Sequence, residues 1–265
     1  MKVLRWMGMG VLALIAAIIA TPSQADQLSD IQKQGQIKVG VSLFQPWTLQ
    51  GKSGLMGFEI DVARKMAADL GVTPVFIVVP WKDILTRLEN GDIDIIAGGI
   101  SVTAQRALRI AFSAPYSSDG TALAANLSLT GAFKGLADFN QPEVTLAVVS
   151  GTVYGDVART RFARASFKEF AATEDAEAAV RSGAVHAYAG SVAKTGYLEK
   201  AFPDTLYAPL PTPLRQSKGA FAVQRGEPNF VNFLNAWLVE HEASGWLPDK
   251  RAYWFDSLAW AADVK

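Results

Sequence analysis

The chain has 265 residues, with 25 basic and 25 acidic side chains, no cysteine and two histidines. The lack of a basic excess argues against a nucleic-acid partner or an anionic membrane surface. The histidine and cysteine counts argue against a histidine-rich metal site and against disulfides, and we expect no cofactor.

The first 25 residues have the features of a signal peptide. Lys2 and Arg5 precede an apolar stretch that runs from Met7 to Ala20, and small residues follow up to Ala25. We predict cleavage after Ala25, which would place the mature protein outside the cytoplasm. The apolar stretch is short for a membrane span, and an uncleaved anchor is the alternative.

Strand and helix patterns alternate in the first part of the mature chain. They predict strands at 36–43, 72–79 and 93–97 and helices at 58–70 and 81–90. Glu59 and Asp61 lie in the first turn of the helix at 58–70, where they complement the helix dipole. The alternation predicts a doubly wound α/β fold, in which ligands bind beyond the carboxyl ends of the strands.

The segment 98–106 has the features of an anion-binding site. Gly98 and Gly99 follow the strand at 93–97, and Thr103 can cap a helix that carries Arg106 in its first turn. Such glycines allow close approach to the backbone, and a guanidinium can hold a carboxylate through two parallel hydrogen bonds. The same pattern also joins strand to helix in ordinary α/β units, so both interpretations stay open.

Three aromatic residues come after predicted strands. Phe44 and Trp47 lie in a loop after the strand at 36–43, and Trp81 follows the strand at 72–79. Because the carboxyl ends of parallel strands share one edge, Phe44 and Trp81 should lie near Arg106. Core packing is the alternative for Phe44 and Trp47.

The second part of the chain repeats this plan. The pattern loosens at 117–120, which suggests a crossover, and segment 180–190 then matches segment 88–98 in its helix stop, strand and closing Ala-Gly. We predict strands at 144–149 and 219–223 and helices at 154–162 and 228–242. A further helix should begin after Thr173, which we expect to cap it. Residues 150–152 form a second possible anion-binding turn, and Trp254, Phe255 and Trp260 indicate core or lobe packing.

Two segments together resemble a family signature. The segment 57–67, Gly-Phe-Glu-Ile-Asp-Val-Ala-Arg-Lys-Met-Ala, and the motif Ser101-x-Thr103-x-x-Arg106 resemble the family 3 solute-binding proteins, the periplasmic receptors of polar amino acid ABC transporters. The resemblance continues at 88–94, 112–116 and 151–152. It implies a type II periplasmic binding fold, with two doubly wound lobes joined by a two-segment hinge. Lobe one would comprise 26–118 and 217–265, and lobe two 119–216.

The resemblance also implies a ligand site. A ligand carboxylate would be held by Ser101, Arg106 and the backbone near Gly99, between aromatic walls and lobe two contacts. The candidate ligand-binding residues are Phe44, Trp47, Trp81, Gly99, Ser101, Thr103, Arg106, Thr152, Val153 and Ser191.

The chain departs from the family at Ser191. Family members usually have an aspartate at about this position, which pairs with the ammonium group of the ligand. A buried ammonium without a counter-charge loses a strong hydrogen bond, so a standard α-amino acid should bind poorly. We hypothesise an organic anion without an amine, or one whose amine meets neutral oxygens from Ser191 and nearby carbonyls.

The expected function is that of a monomeric periplasmic receptor without catalytic residues. It would deliver an amino acid or a related small organic carboxylate to an inner-membrane ABC permease. One alternative is an enzyme similar to cyclohexadienyl dehydratase, a group that segment 112–120 also resembles. Such an enzyme needs a proton donor, and Lys194 could act as one only if it is buried. We favour a solvated helix lysine instead. Another is an adaptor or sensor domain that has lost small-ligand binding.

Overall fold

The computed structural model describes residues 26–264, so the predicted signal peptide lies outside the described residues. The helices are α1 (Gln27–Gln34), α2 (Phe58–Leu70), α3 (Ile84–Glu89), α4 (Ala104–Ala107), α5 (Leu127–Thr130), α6 (Leu136–Phe139), α7 (Val153–Arg161), α8 (Thr173–Arg181), α9 (Val192–Ala201), α10 (Pro228–Ala243) and α11 (Trp246–Arg251). The strands are β1 (Gln36–Val41), β2 (Leu49–Gly51), β3 (Gly54–Met56), β4 (Thr73–Val78), β5 (Ile95–Ser101), β6 (Ala111–Phe112), β7 (Ser117–Asn126), β8 (Thr145–Val149), β9 (Ser166–Phe170), β10 (Ala187–Ser191), β11 (Leu206–Tyr207) and β12 (Arg215–Val223).

The main sheet contains two parallel groups of strands. Its order is β4-β1-β5-β12-β7-β10-β8-β9, with β1 parallel to β4 and β5, and β8 parallel to β9 and β10. We call the group around β1 lobe one and the group around β8 lobe two. In each lobe the first strand lies between the second and the third, an order whose topological switch point is a ligand-binding position. The predicted α/β architecture is confirmed.

Two long antiparallel strands connect the lobes. β7 pairs with β12 from Ser117 opposite Gly219 to Thr121 opposite Arg215. β7 continues along β10 of lobe two, whereas β12 continues along β5 of lobe one. The predicted lobe boundaries at 118/119 and 216/217 fall within these strands, and the division of the chain at those residues stays a prediction.

Helix α2 shows how the sequence sets the packing of lobe one. Its apolar positions Phe58, Val62, Met66 and Leu70 recur on one face, and all four side chains are buried. The helix ends at Gly71, whose φ of 79° is a left-handed conformation that glycine adopts readily. Both predicted bounds of this helix are confirmed.

The cap predicted for helix α8 is wrong. The helix begins at Thr173, and Ala172 occupies the cap position. Thr173 is buried, and its side chain does not cap the helix.

The segment after α11 packs against both lobes. Trp254 and Trp260 are buried, and the Trp260 ring lies 5.7 Å from that of Tyr197 on α9 of lobe two. The interpretation of these tryptophans as packing residues is confirmed. None of the helices in residues 26–264 has the length and apolar character that a membrane crossing requires.

Candidate functional site

A cavity lies between the lobes at the carboxyl ends of β1, β5 and β8, the position that the strand order indicates. Its lining comes from both lobes and contains one charged side chain. The lining residues are Ser42, Leu43, Phe44, Trp81, Gly98, Gly99, Ser101, Arg106, Val149, Thr152, Val153, Tyr154, Thr173 and Tyr188.

The charged side chain of the lining belongs to Arg106. Its position on α4 is fixed because its backbone N–H donates to the Thr103 hydroxyl at 3.2 Å. Its Nη1 donates to the Ser101 carbonyl at 3.0 Å, and its Nη2 donates to the Gly151 carbonyl of lobe two at 3.2 Å. Only 9% of Arg106 is exposed, and no ion pair of residues 26–264 involves it. Burial lowers the pKa of its guanidinium, but an arginine stays charged at neutral pH.

The Gly151 carbonyl receives a second hydrogen bond from lobe one. Trp81 Nε1 donates to it at 3.1 Å, and the Arg106 guanidinium lies over the Trp81 ring, 5.7 Å from the ring centroid. Gly151 has a φ of 72°, so a larger residue there would be strained. Two side chains of lobe one therefore meet lobe two at one backbone oxygen.

The N-terminus of α7 lies beside this carbonyl. Thr152 caps the helix, because its hydroxyl accepts from the Gly155 N–H at 3.2 Å and donates to the Val149 carbonyl at 2.8 Å. A helix N-terminus carries partial positive charge. Arg106 and α7 thus contribute positive potential from opposite lobes.

A buried carboxylate lies behind the backbone of Gly99. Glu59 accepts from the Gly99 N–H at 2.9 Å and from the Tyr116 hydroxyl at 2.5 Å. Burial raises the pKa of Glu59 to about 7, although both hydrogen bonds act in the opposite direction. Glu59 therefore does more than complement the dipole of α2: it fixes the backbone where β5 reaches the cavity.

A second carboxylate, that of the half-buried Asp119, holds a tyrosine of the lining. The Tyr154 hydroxyl donates to Asp119 Oδ2 at 2.7 Å, and the Val192 N–H donates to Asp119 Oδ1 at 3.1 Å. The Tyr154 ring stacks on Phe44 of lobe one, with 6.0 Å between centroids. Burial raises the pKa of Asp119, and its hydrogen bonds oppose that rise.

Lys194 is buried, so the expectation of a solvated helix lysine is wrong. Its side chain is 4% exposed and forms an ion pair of 2.6 Å with Glu177 of α8. Its Nζ also donates to Gln45 Oε1 of lobe one at 3.2 Å. The ion pair joins α8 and α9, which both pack against β7 and β10 of lobe two.

Comparison with known proteins identifies the family. Residues 37–257 match the model of the bacterial extracellular solute-binding proteins, family 3. The chain belongs to this family. The resemblance found in the sequence is confirmed, and the fold neighbours described next confirm the type II periplasmic binding fold.

Relatives of this family 3 protein include receptors and an enzyme. It is 25% identical to the L-cystine-binding protein TcyJ of Escherichia coli, over 94% of each chain, and 25% identical to the cyclohexadienyl dehydratase of Pseudomonas aeruginosa, over 92% of this chain and 91% of the relative. The ancestral amino acid-binding protein AncCDT-1 matches 87% of this chain and 100% of its own with a TM-score of 0.80 and 28% identity. An ABC transporter binding component from Wolinella succinogenes, complexed with lysine, matches 86% of this chain and 99% of its own with a TM-score of 0.81 and 26% identity.

The structure brings most of the predicted site residues of this solute-binding protein together. Those that line the cavity are Phe44, Trp81, Gly99, Ser101, Arg106, Thr152 and Val153.

The other three predicted residues, Trp47, Thr103 and Ser191, lie outside that lining. Trp47 is buried in the core of lobe one, where its ring packs behind Gly99. Thr103 caps α4. Ser191 is fully buried and caps α9, with its hydroxyl accepting from the Lys194 N–H at 3.0 Å.

The prediction omits several residues that the structure places at or beside the cavity, among them Ser42, Thr173 and Asp119. Ser42 directly follows β1, and the rule that selects Phe44 could have found it. Thr173 has a sequence signal, but that signal indicates a helix cap rather than a ligand contact. Asp119 lies in segment 112–120, yet no local pattern indicates that it accepts from Tyr154.

We predict that Glu59 makes stability depend on pH. Because its pKa is raised in the folded state, its contribution is full below about pH 4.5 and is lost as the pH rises through about 7. The shift corresponds to about 3 kcal/mol in the free energy of unfolding. Urea denaturation at pH 5 and pH 8 should show this loss in the wild type but not in Glu59→Gln.

The control for this experiment is Glu240→Gln, which changes an exposed glutamate of α10. It should retain the pH dependence of the wild type. A Glu59→Gln variant with unchanged pH dependence would contradict the role assigned to this carboxylate.

We also predict that removal of one partner of the Lys194–Glu177 ion pair lowers the free energy of unfolding. Lys194→Met leaves Glu177 buried without its counter-charge, and such losses cost about 3–5 kcal/mol. Urea denaturation should show this decrease, and Lys194→Met combined with Glu177→Gln should recover part of it. Equal destabilisation by the single and double variants would exclude pairing as the cause.

Proposed function

We propose that this protein is the substrate-binding component of an ABC importer, and that it captures an amino acid or a related small organic carboxylate in the cleft between its lobes. The observation that carries the proposal is the buried Arg106 guanidinium, which lines the cavity with two backbone carbonyls as its partners. A buried cation of this kind is stabilised by an anion, and a guanidinium matches a carboxylate in shape.

Both lobes support binding of that carboxylate. Ser101 and Gly99 lie beside Arg106 in lobe one, and the N-terminus of α7 at Thr152 and Val153 approaches from lobe two. A ligand that contacts both lobes binds the closed arrangement better than an open one. The ligand therefore shifts the population toward the closed form, which a permease can distinguish.

The rest of the lining suits a ligand with an apolar or flat body. Phe44, Trp81, Tyr154 and Tyr188 supply aromatic surface, and no carboxylate within residues 26–264 belongs to the lining. An organic acid without an amine, or one whose amine meets neutral oxygens, fits these walls best.

The setting of the protein forms part of the same proposal. We place it in the periplasm after cleavage of residues 1–25, as a monomer that meets an inner-membrane permease. The lobes comprise 26–118 with 217–265 and 119–216, and they move about β7 and β12. Relatives named as amino-acid ABC transporter-binding proteins support this setting.

A dehydratase is the second candidate, because one relative is the cyclohexadienyl dehydratase of Pseudomonas aeruginosa. The chain offers the buried Lys194–Glu177 pair as a possible proton donor, although neither residue belongs to the cavity lining. Incubation of the purified protein with prephenate or arogenate tests this candidate. Formation of an aromatic product that Glu177→Gln abolishes would favour the enzyme over the receptor.

We predict that Arg106→Gln weakens ligand binding by about a hundredfold, because the carboxylate loses its charge-assisted hydrogen bonds. Native mass spectrometry of freshly isolated protein should detect a bound small acid in the wild type but not in the variant. A panel of amino and organic acids, titrated by calorimetry, gives the affinity ratio.

Arg109→Gln is the matched control for this prediction. Arg109 lies three residues away, is exposed, and pairs with Glu89 at the surface. This variant should bind the acid as the wild type does. Equal binding by Arg106→Gln and the wild type would reject the proposed site.

A further inference from the structure

We propose that Asp119 acts through Tyr154 to make one side of the cleft a hydrogen-bond acceptor, so that the protein selects acids that carry a hydrogen-bond donor over acids that carry only acceptors. This inference rests on the proposed function, since it takes the carboxylate to be held by Arg106. Asp119 is a positioning residue here, because it acts on the ligand through Tyr154.

The first step is the proton of the Tyr154 hydroxyl. A phenol has one proton, and Tyr154 donates it to Asp119 Oδ2 at 2.7 Å. An ionised carboxylate can only accept, and Asp119 Oδ1 already accepts from the Val192 N–H at 3.1 Å. The Tyr154 oxygen therefore keeps lone pairs for a ligand but has no proton to offer.

Three other polar groups of the lining are committed in the same way. The Ser42 hydroxyl donates to the Val79 carbonyl, and the Thr152 hydroxyl donates to the Val149 carbonyl at 2.8 Å. The indole N–H of Trp81 donates to Gly151. None of these three groups has a proton left for a ligand.

Uncommitted N–H donors lie around Arg106. Its guanidinium has five N–H groups, and the two hydrogen bonds to Ser101 and Gly151 leave others for a ligand. Between these groups the cleft is therefore polarised, with donors at Arg106 and acceptors at Tyr154, Thr152 and Ser42. A ligand with a carboxylate at one end and an N–H or O–H group facing Tyr154 satisfies both sides, whereas an acceptor placed there would face another acceptor.

This arrangement also bears on the missing aspartate at Ser191. Asp119 Oδ1 accepts a hydrogen bond from the backbone N–H of Val192, the residue after Ser191. A carboxylate is thus present beside that position, but it comes from β7 and reaches the cavity through the Tyr154 hydroxyl. An ammonium group on the ligand would meet the Tyr154 oxygen, whose acceptor strength increases when its own proton is given to a carboxylate.

The test uses two series of acids that differ only at carbon 2. One comprises butyrate, L-2-aminobutyrate, 2-hydroxybutyrate and 2-oxobutyrate; the other comprises 3-phenylpropionate, L-phenylalanine, 3-phenyllactate and phenylpyruvate. Calorimetry with the mature protein should show the amino or hydroxy acid binding about tenfold more tightly than the unsubstituted and oxo acids, the value of one net hydrogen bond.

Tyr154→Phe should abolish this preference while keeping the aromatic ring against Phe44. Tyr253→Phe removes the hydroxyl of an exposed tyrosine and should leave the preference unchanged. Equal affinities within a series for the wild type, or an unchanged preference in Tyr154→Phe, would overturn the inference alone. Binding of none of the eight acids would overturn the proposed function together with it.

Asp119→Asn provides the sharper test because it should reverse one hydrogen bond. The asparagine oxygen must still accept from the Val192 N–H, so its NH₂ group faces Tyr154 and donates to it. The Tyr154 proton is then available to the ligand, and the oxo acid should gain about tenfold in affinity relative to the amino acid. Asp119→Asn with the wild-type ratio would show that Asp119 has only a structural role.

Discussion

The cleft depends on the burial of one guanidinium. Removing an arginine side chain from water costs several kcal/mol unless hydrogen bonds and an opposite charge compensate. Arg106 donates hydrogen bonds to the carbonyls of Ser101 and Gly151, but no carboxylate of residues 26–264 forms an ion pair with it. In the proposed function, the carboxylate of the ligand supplies the missing opposite charge.

The same guanidinium also connects binding with closure of the lobes. Its contact with Gly151 crosses the cleft, and Trp81 donates to the same carbonyl. Behind the site, Glu59 accepts hydrogen bonds from the Gly99 N–H and from the Tyr116 hydroxyl. Tyr116 lies one residue before the connecting strand β7. A chain of hydrogen bonds therefore runs from the anion site to the start of the connection between the lobes. Under the proposed function, a ligand bound at Arg106 would act on groups that join the two lobes.

The parts predicted from the sequence are those that depend on local pattern. The apolar period of α2, the glycine after it, and the Thr103 cap before Arg106 each follow from neighbouring residues, and the carboxyl ends of the strands locate the cavity. Trp47 shows the limit, because an aromatic residue after a strand can face either the cleft or the core. Its ring packs against Gly99. The packing of the whole lobe decides which of the two sides the ring faces.

Pairs of residues distant in sequence could not be predicted in this way. Lys194 is buried because Glu177 of a neighbouring helix and Gln45 of the other lobe surround it. Asp119 reaches Tyr154, 35 residues away, only after β7 and α7 have packed. Hydropathy and spacing contain no information about such partners. In the proposed function, these partners decide which polar groups the ligand meets.

A crystal structure of the protein with its co-purified small molecule tests the central claim most directly. The account predicts an acidic group of that molecule within about 3 Å of the guanidinium nitrogens of Arg106, between the two lobes. Density for the molecule outside the cleft, or an uncharged group beside Arg106, would contradict it.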